Sequence, residues 1–100
     1  MPENLLIHGY GVLSHRAVVG GYTSFIKMLL EYGAHLNVKD NVGNTPLHIA
    51  CEEGHGELAL LLVQRGADYD ALNSDEKTPL ELGSKQLRLF VEKNLETLHQ

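Results

Sequence analysis

His48, Cys51 and His55 are the residues of this sequence whose types and spacing could carry chemistry. They stand at positions i, i+3 and i+7, so a helix that continued through His55 would present all three on one face. Imidazole and thiolate groups bind Zn²⁺, and a cysteine beside a histidine base can act as a nucleophile. Gly54 interrupts such a helix, however, no fourth ligand stands at a matching offset, and nothing nearby orients a base. The spacing therefore weighs against a zinc site and against a nucleophilic pair.

The rest of the sequence carries no other signature of catalysis or of cofactor binding. It has no glycine-rich phosphate loop, no GxSxG turn, no paired CxxC and no acid ladder of an EF-hand. We therefore expect neither an enzyme nor a cofactor.

The chain has the size and composition of one folded domain. Its 100 residues are 43% hydrophobic and 21% charged, which is typical of a soluble globular protein. The longest apolar run, Leu58 to Val63, is far shorter than the roughly 20 residues that span a bilayer. The start of the chain lacks both regions of a secretory signal, and the single cysteine cannot form an internal disulfide. We expect one domain over residues 1–100, located in the cytoplasm, the nucleus or both, with no membrane partner.

Negative charge is concentrated in one window of the sequence. The formal net charge is -5, and residues 52–81 hold eight acidic residues against two basic ones. Such a field repels nucleic acid and speeds the approach of a basic protein surface. We expect a protein partner with a basic surface and no nucleic acid. The alternative is that these acids are a solvated face that keeps the protein soluble.

The chain repeats itself with a period of 33 residues. A shift by that length places residues 45–47 (Thr-Pro-Leu) on residues 78–80, which have the same sequence, and Gly33-Ala34 on Gly66-Ala67. Three copies result: a degenerate one over about 7–39, a complete one over 40–72, and a C-terminal cap over 73–99.

The middle copy contains the local signals of a turn and a short helix. Residues 40–44 are rich in types that tolerate turn dihedrals, so we expect a β-turn, or finger. Thr45 can then cap a helix whose first position suits Pro46, and Gly54 ends this helix. In the third copy, Thr78 and Glu81 have the spacing of a capping box.

A second helix follows in each copy. In the middle copy, Leu58, Leu61 and Leu62 mark one face of a helix that Gly66 closes. The first copy repeats this stripe before Gly33, with Phe25, Met28 and Leu29. Isolated helices this short are marginal in water, so we expect the copies to stack on their neighbours.

The outer copies depart from this pattern. Residues 12–14 (Val-Leu-Ser) replace Thr-Pro-Leu in the first copy, which predicts a weak or shifted first helix. In the third copy, the second helix should begin early and run over about 86–95. It mixes apolar with charged residues, as expected of a terminal cap.

These features together resemble the ankyrin repeat. The resemblance lies in TPLHIAC at 45–51, the Gly54-His55 pair, LLLVQRGAD at 60–68 and the 33-residue period, and it covers the chain from about Tyr10 onward. It implies an all-α solenoid of about three helix-turn-helix repeats with β-turn fingers. It also implies that His48 ties its helix to a finger and that Cys51 is a buried core residue.

A closer resemblance is to the C-terminal repeats of gankyrin-type proteasome assembly chaperones. It lies in Ser14-His15-Arg16-Ala17, in residues 40–53 and in DEKTPLEL at 75–82. It implies an assembly chaperone whose partner is the C-terminal domain of a proteasomal AAA ATPase subunit. Apart from this resemblance, we expect the chain to be a monomer. The alternative is a targeting or regulatory segment of a larger signalling protein or enzyme.

Stacked ankyrin repeats present a concave face made of the fingers and the solvent side of each first helix. The period puts Val19, Glu52 and Lys85 in one row of this face. We expect Ile49 to be an exposed apolar anchor beside acidic residues, the alternative being that it packs against a neighbouring finger. The candidate protein-binding residues are Arg16, Asn41, Val42, Asn44, Ile49, Glu52, Glu53, Ser74, Asp75, Lys77 and Lys85.

Overall fold

A computed structural model describes residues 15–98, with side chains through Leu95. It contains six α-helices: α1 (His15–Val19), α2 (Thr23–Glu31), α3 (Pro46–Glu52), α4 (Gly56–Gln64), α5 (Pro79–Leu82) and α6 (Lys85–Leu98). They pair into three helical hairpins, which confirms the predicted all-α repeat architecture. None of the helices between residues 15 and 98 is long and apolar enough to cross a membrane.

The helices lie in two layers. The first helices of the hairpins contact in the order α1, α3, α5, and the second helices contact in the order α2, α4, α6. The core lies between the layers, where Ile26, Leu47, Leu58, Leu62 and Val91 have no exposed surface. Because each hairpin buries its apolar face on its neighbours, stacking stabilises helices that are too short to persist alone.

The predicted start of the first helix in the middle repeat is confirmed. The Thr45 hydroxyl accepts the His48 amide at 3.3 Å, and Pro46 occupies the first helical position. Gly54 follows the end of α3 with a φ of +80°, a left-handed conformation that favours glycine. In the third repeat, the Thr78 amide donates to Glu81 Oε1 at 2.9 Å, and this backbone hydrogen bond lowers the pKa of Glu81.

The apolar stripe of α2 differs from the predicted one. Ile26 and Leu29 are the buried residues, whereas Phe25 and Met28 are only half-buried. In α4, which has a neighbour on each side, Leu58 at the position of Phe25 has no exposed surface, whereas Leu61 at the position of Met28 is half-buried as well. Among the described helices, the main contacts of α2 are with α1 and α4, and they leave Phe25 less covered than Leu58.

The third repeat is shortened at its first helix. The helix α5 ends at Leu82, and α6 begins at Lys85 rather than at about residue 86 and continues to Leu98. Ser84 caps α6, since its hydroxyl accepts the Leu87 amide at 3.1 Å. A Cβ at Gly83 would lie 2.8 Å from Leu87 Cδ2, so a larger residue here would require the Leu87 side chain to shift.

The repeat limits and the single-domain extent stay predictions, and parts of them lie outside the described residues. This holds for the finger of the first repeat and for residues 12–14, whose expected effect on the first helix therefore also stays a prediction.

We expect Glu76→Gly to raise the stability of the third finger. Glu76 has a φ of +60°, and the equivalent position in the second finger is Gly43 with a φ of +78°. The left-handed region costs a residue with a Cβ about 1–2 kcal/mol. Glycine avoids this cost but loses more conformational entropy on folding, which offsets part of the gain. Urea unfolding should show a gain of about 0.5–1 kcal/mol. A loss would show that the Glu76 side chain stabilises the finger more than its backbone strains it.

Candidate functional site

His48 is fully engaged in the fold. Its side chain has no exposed surface. Its Nδ1 accepts the Thr45 amide at 3.0 Å, and its Nε2 lies 2.8 Å from the Lys77 carbonyl oxygen. Because Nδ1 is the acceptor, the proton sits on Nε2, which donates to Lys77. The imidazole thus ties α3 to the third finger and has no lone pair left for a metal.

Cys51 and His55 are also committed to the fold. The Cys51 thiol is buried, and this burial raises its pKa to about 12. His55 Nε2 lies 2.7 Å from the carbonyl oxygen of Val19 at the end of α1, so it links two repeats. Among residues 15–98, no three His, Cys, Asp or Glu side chains are arranged to hold a metal ion. The helical face that would have joined His48, Cys51 and His55 ends before His55, because α3 stops at Glu52.

We expect Cys51 to resist alkylation in the folded protein. With a pKa of about 12, about one thiol in ten thousand is ionised at pH 8, and the side chain is also shielded. Iodoacetamide at pH 8 should leave the native protein unmodified and label it within minutes in urea, as read by intact mass. Labelling of the native protein at the rate of the unfolded one would contradict the burial of Cys51.

The second and third fingers share one internal hydrogen-bond pattern. Asp40 Oδ1 accepts the amides of Val42 and Asn44 at 3.0 and 2.9 Å. Asn73, which is equivalent to Asp40 in the repeat, accepts the amides of Asp75 and Lys77 through its Oδ1. These side chains fold the predicted β-turns.

The two fingers are joined side by side. The Ser74 amide donates to the Val42 carbonyl oxygen at 3.0 Å, and Asn73 Nδ2 donates to Asn44 Oδ1 at 3.0 Å. Lys39 Nζ donates to the Leu72 carbonyl oxygen at 2.8 Å. The fingers therefore form one continuous edge.

Sequence reasoning missed three residues that build this edge, namely Asn37, Lys39 and Asn73. Asn37 accepts the Asp68 amide at 2.8 Å and donates to the Gly66 carbonyl oxygen at 3.2 Å. The acid or amide that recurs one period apart at 40 and 73 was a usable signal for the turn caps. Asn37 carries the same signal, because the equivalent residue one period later is Asp70.

Most of the predicted binding residues are exposed. These are Arg16, Asn41, Val42, Glu52, Glu53, Ser74, Asp75, Lys77 and Lys85. Asn44 is instead half-buried, and its side chain is used to hold Asn73. Whether the exposed residues bind a partner stays a prediction.

The expectation that Ile49 is an exposed anchor is wrong. Its side chain is only 8% exposed and belongs to the core. The helix α3 lies between α1 and α5 and against α4, so every residue from Pro46 to Cys51 is buried. The concave face therefore has no apolar anchor at this position.

The structure separates the remaining candidates into two groups. Glu52 and Glu53 lie at the C-terminal end of α3, whereas the fingers precede its N-terminal end. Seven residues of α-helix are about 10 Å long, which separates the two groups by about that distance. The predicted row through Lys85 is also wrong, because Lys85 begins α6 and does not end α5.

Glu52, Glu53 and Asp75 are free of the fold. Within the described part of the chain, their carboxylates take part in no hydrogen bond or ion pair, and all three are exposed. Glu52 and Glu53 stand at the negative end of the dipole of α3, where an acid disfavours the helix. These carboxylates are available to a partner and contribute nothing favourable to the helix.

A family model described as ankyrin repeats (3 copies) matches residues 8–95 of this chain. The protein phosphatase 1 regulatory subunit 27 of Homo sapiens is 40% identical over 87 residues, which are 86% of this chain and 56% of the relative. Protein phosphatase 1 regulatory subunit 12A of Mus musculus is 36% identical over 82 residues, which are 82% of this chain and 8% of the relative.

A third relative has a different kind of name. The Caenorhabditis elegans homolog of transient receptor potential cation channel subfamily A member 1 is 44% identical over 69 residues, or 68% of this chain and 6% of the relative. The chain thus spans about half the length of regulatory subunit 27 and a small part of the other two relatives.

Proposed function

Because this chain belongs to the ankyrin-repeat family, we propose that it is a non-catalytic protein-interaction module that acts as a regulatory segment for a partner protein. Stacked repeats expose an extended concave surface, which suits them to hold another polypeptide. We further propose that the module is a monomer and works in the cytoplasm, the nucleus or both.

This proposal rests on the contrast between polar side chains that bond within the fold and acidic side chains that are exposed and make no such bond. His48, Cys51 and His55, the residue types that could do chemistry, are bound up in the fold. Glu52 and Glu53 are exposed and unengaged among the described residues, at a helix end where they disfavour the helix. Acids that destabilise the helix must serve another role, and attraction to a basic surface on a partner protein is such a role.

The names of two relatives support the identity of the partner. Both are regulatory subunits of protein phosphatase 1, so we propose the catalytic subunit of that phosphatase as the protein that this module binds. The module would then direct or limit the phosphatase without taking part in the chemistry.

A second candidate function follows from the likeness of residues 40–53 and 75–82 to gankyrin-type chaperones. In that case the partner is the C-terminal domain of a proteasomal AAA ATPase subunit. We place this candidate second, because the relatives reported above carry the names of phosphatase subunits and not of proteasome chaperones.

A pair of titrations tests the proposal and ranks the two partners. The purified chain is titrated by isothermal calorimetry into the protein phosphatase 1 catalytic subunit and, separately, into the ATPase domain. Saturable binding to the phosphatase supports the first candidate, and saturable binding to the ATPase domain alone supports the second. Absence of binding to both would remove both named partners.

We expect charge reversal at Glu52 and Glu53 to weaken partner binding at least tenfold. Replacing both with Lys inverts the field that attracts a basic surface, so association should slow, most strongly at low salt. The thermal midpoint should stay level or rise, because lysines suit the end of α3 better than acids do. Surface plasmon resonance over a salt series measures the effect, and adding Asp75→Lys should deepen it.

The matched control for this reversal is Glu31→Lys with Glu92→Lys. It changes the net charge equally, but on the second helices α2 and α6. Equal losses in both doubles would show that net charge alone matters, and an unchanged affinity in the Glu52/Glu53 double would remove these residues from the site.

A further inference from the structure

Two apolar side chains remain exposed on the edge formed by the joined fingers. Val42 is 54% exposed and Leu72 is 49% exposed. Removing the surface of an exposed aliphatic side chain from water is favourable, so an apolar contact from a partner would lower the free energy of the complex. With Ile49 buried, Val42 and Leu72 are the large apolar side chains exposed within residues 39–44 and 70–77, and Val38 and Tyr69, which are 47% and 50% exposed, immediately precede these two ranges.

The two segments that carry Val42 and Leu72 are joined through their backbones. The Val42 carbonyl oxygen accepts the Ser74 amide at 3.0 Å, two residues from Leu72. A Cβ at Gly43 would lie only 2.9 Å from the Ser74 nitrogen, so the two fingers touch along their backbones. The Lys39 ammonium holds the Leu72 carbonyl oxygen from the other side. We call residues 39–44 and 70–77 the finger strip.

Acidic side chains surround this apolar pair. The finger strip contains four acids, Asp40, Asp70, Asp75 and Glu76, all exposed. It contains two lysines, Lys39 and Lys77. The Lys39 ammonium donates a hydrogen bond to the Leu72 carbonyl oxygen. The charge balance therefore favours a cationic ligand, and the apolar pair favours a ligand that also carries aliphatic side chains.

We propose that the finger strip binds an extended polypeptide segment in which Lys or Arg alternates with aliphatic residues. Its aliphatic side chains contact Val42 and Leu72, and its cations lie beside the flanking acids. The segment is extended because the strip is the edge of two joined turns, with one exposed aliphatic side chain on each side of the junction. This inference rests on the proposed function as an interaction module and names the part of a partner that the module recognises.

Selection from a phage-displayed library of random twelve-residue peptides tests this inference. We expect peptides recovered on the wild-type chain to combine Lys or Arg with Val, Leu or Ile. The double variant Val42→Ser, Leu72→Ser should retain them at least tenfold less well. Both substitutions lie on exposed positions, so the thermal midpoint should not change.

The matched control is the double variant Tyr32→Ser, Leu89→Ser. These residues are 84% and 54% exposed and lie outside the finger strip, so the recovered peptides should bind this variant as they bind the wild type. Peptides held equally by the Val42/Leu72 variant, or no recovered peptide, would overturn the inference. The peptide selection is independent of the phosphatase and ATPase titrations. If the titrations show no binding but the selection succeeds, the two named partners are removed and the proposed binding of a basic and aliphatic segment stands.

Discussion

Replacing Leu62 with Ala is expected to remove about 3 kcal/mol from the free energy of unfolding. Leu62 lies on α4, the central second helix, and its side chain has no exposed surface. Removing three carbons from such a site loses their burial and leaves a cavity, which together cost about 2–5 kcal/mol. Because a small domain has about 5–15 kcal/mol in all, a large part of the stability of a three-repeat stack depends on this side chain.

Urea unfolding followed by circular dichroism measures this loss. The matched control is Leu89→Ala on α6, where a leucine that is 54% exposed should cost less than about 1 kcal/mol. A loss at Leu62 no greater than that at Leu89 would contradict a core between the two helical layers.

Replacing His48 with Ala is expected to cost about 2–4 kcal/mol. The substitution leaves the buried Thr45 amide without a partner and removes one of the two donors to the Lys77 carbonyl oxygen, which still accepts the Asn73 amide at 3.0 Å. A buried group left unsatisfied costs about 1–3 kcal/mol, and the loss of the buried imidazole leaves a cavity that adds to this cost. The third finger also loses its tie to α3, so the amides of residues 73–77 should exchange with deuterium faster than in the wild type.

The control for His48 is His35→Ala. His35 is exposed, and its side chain makes no hydrogen bond among the described residues. Unfolding and exchange should match the wild type in this variant. A His48 variant with wild-type stability and exchange would show that the imidazole does not join the finger to the helix.

Sequence alone predicted the N-terminal caps of α3 and α5, because these depend on neighbours in the chain. Thr45 and Pro46 start α3, and Thr78 with Glu81 starts α5, through contacts within three residues. The 33-residue period then predicted that the hairpins stack. The resemblance to ankyrin repeats implied the structural role of His48, and the contacts confirm it.

Sequence could not predict which side chains the stacking leaves exposed. Ile49 has the position of a solvent-facing residue in its own helix, and it is buried only because α1 and α5 lie on either side. The bonds between the fingers, such as that from Lys39 to Leu72, join residues 33 positions apart and depend on the packed register. The predicted position of Lys85 was wrong for a similar reason, because the chain turns at Gly83 and Ser84 and begins the next helix at Lys85.

The fold is shared by relatives whose printed names differ, including phosphatase regulatory subunits and a cation channel homolog. Function therefore depends on the exposed residues of each chain and not on the repeat itself. In this chain we propose that those residues are the acids at the end of α3 and the finger strip.

Hydrogen–deuterium exchange of the complex with the phosphatase catalytic subunit, or with a peptide selected from the library, tests the location of binding most directly. We predict slower exchange at residues 40–44 and 73–77 and around Glu53, with α2, α4 and α6 unchanged. Protection confined to the second helices, with the fingers exchanging as in the free protein, would contradict the account.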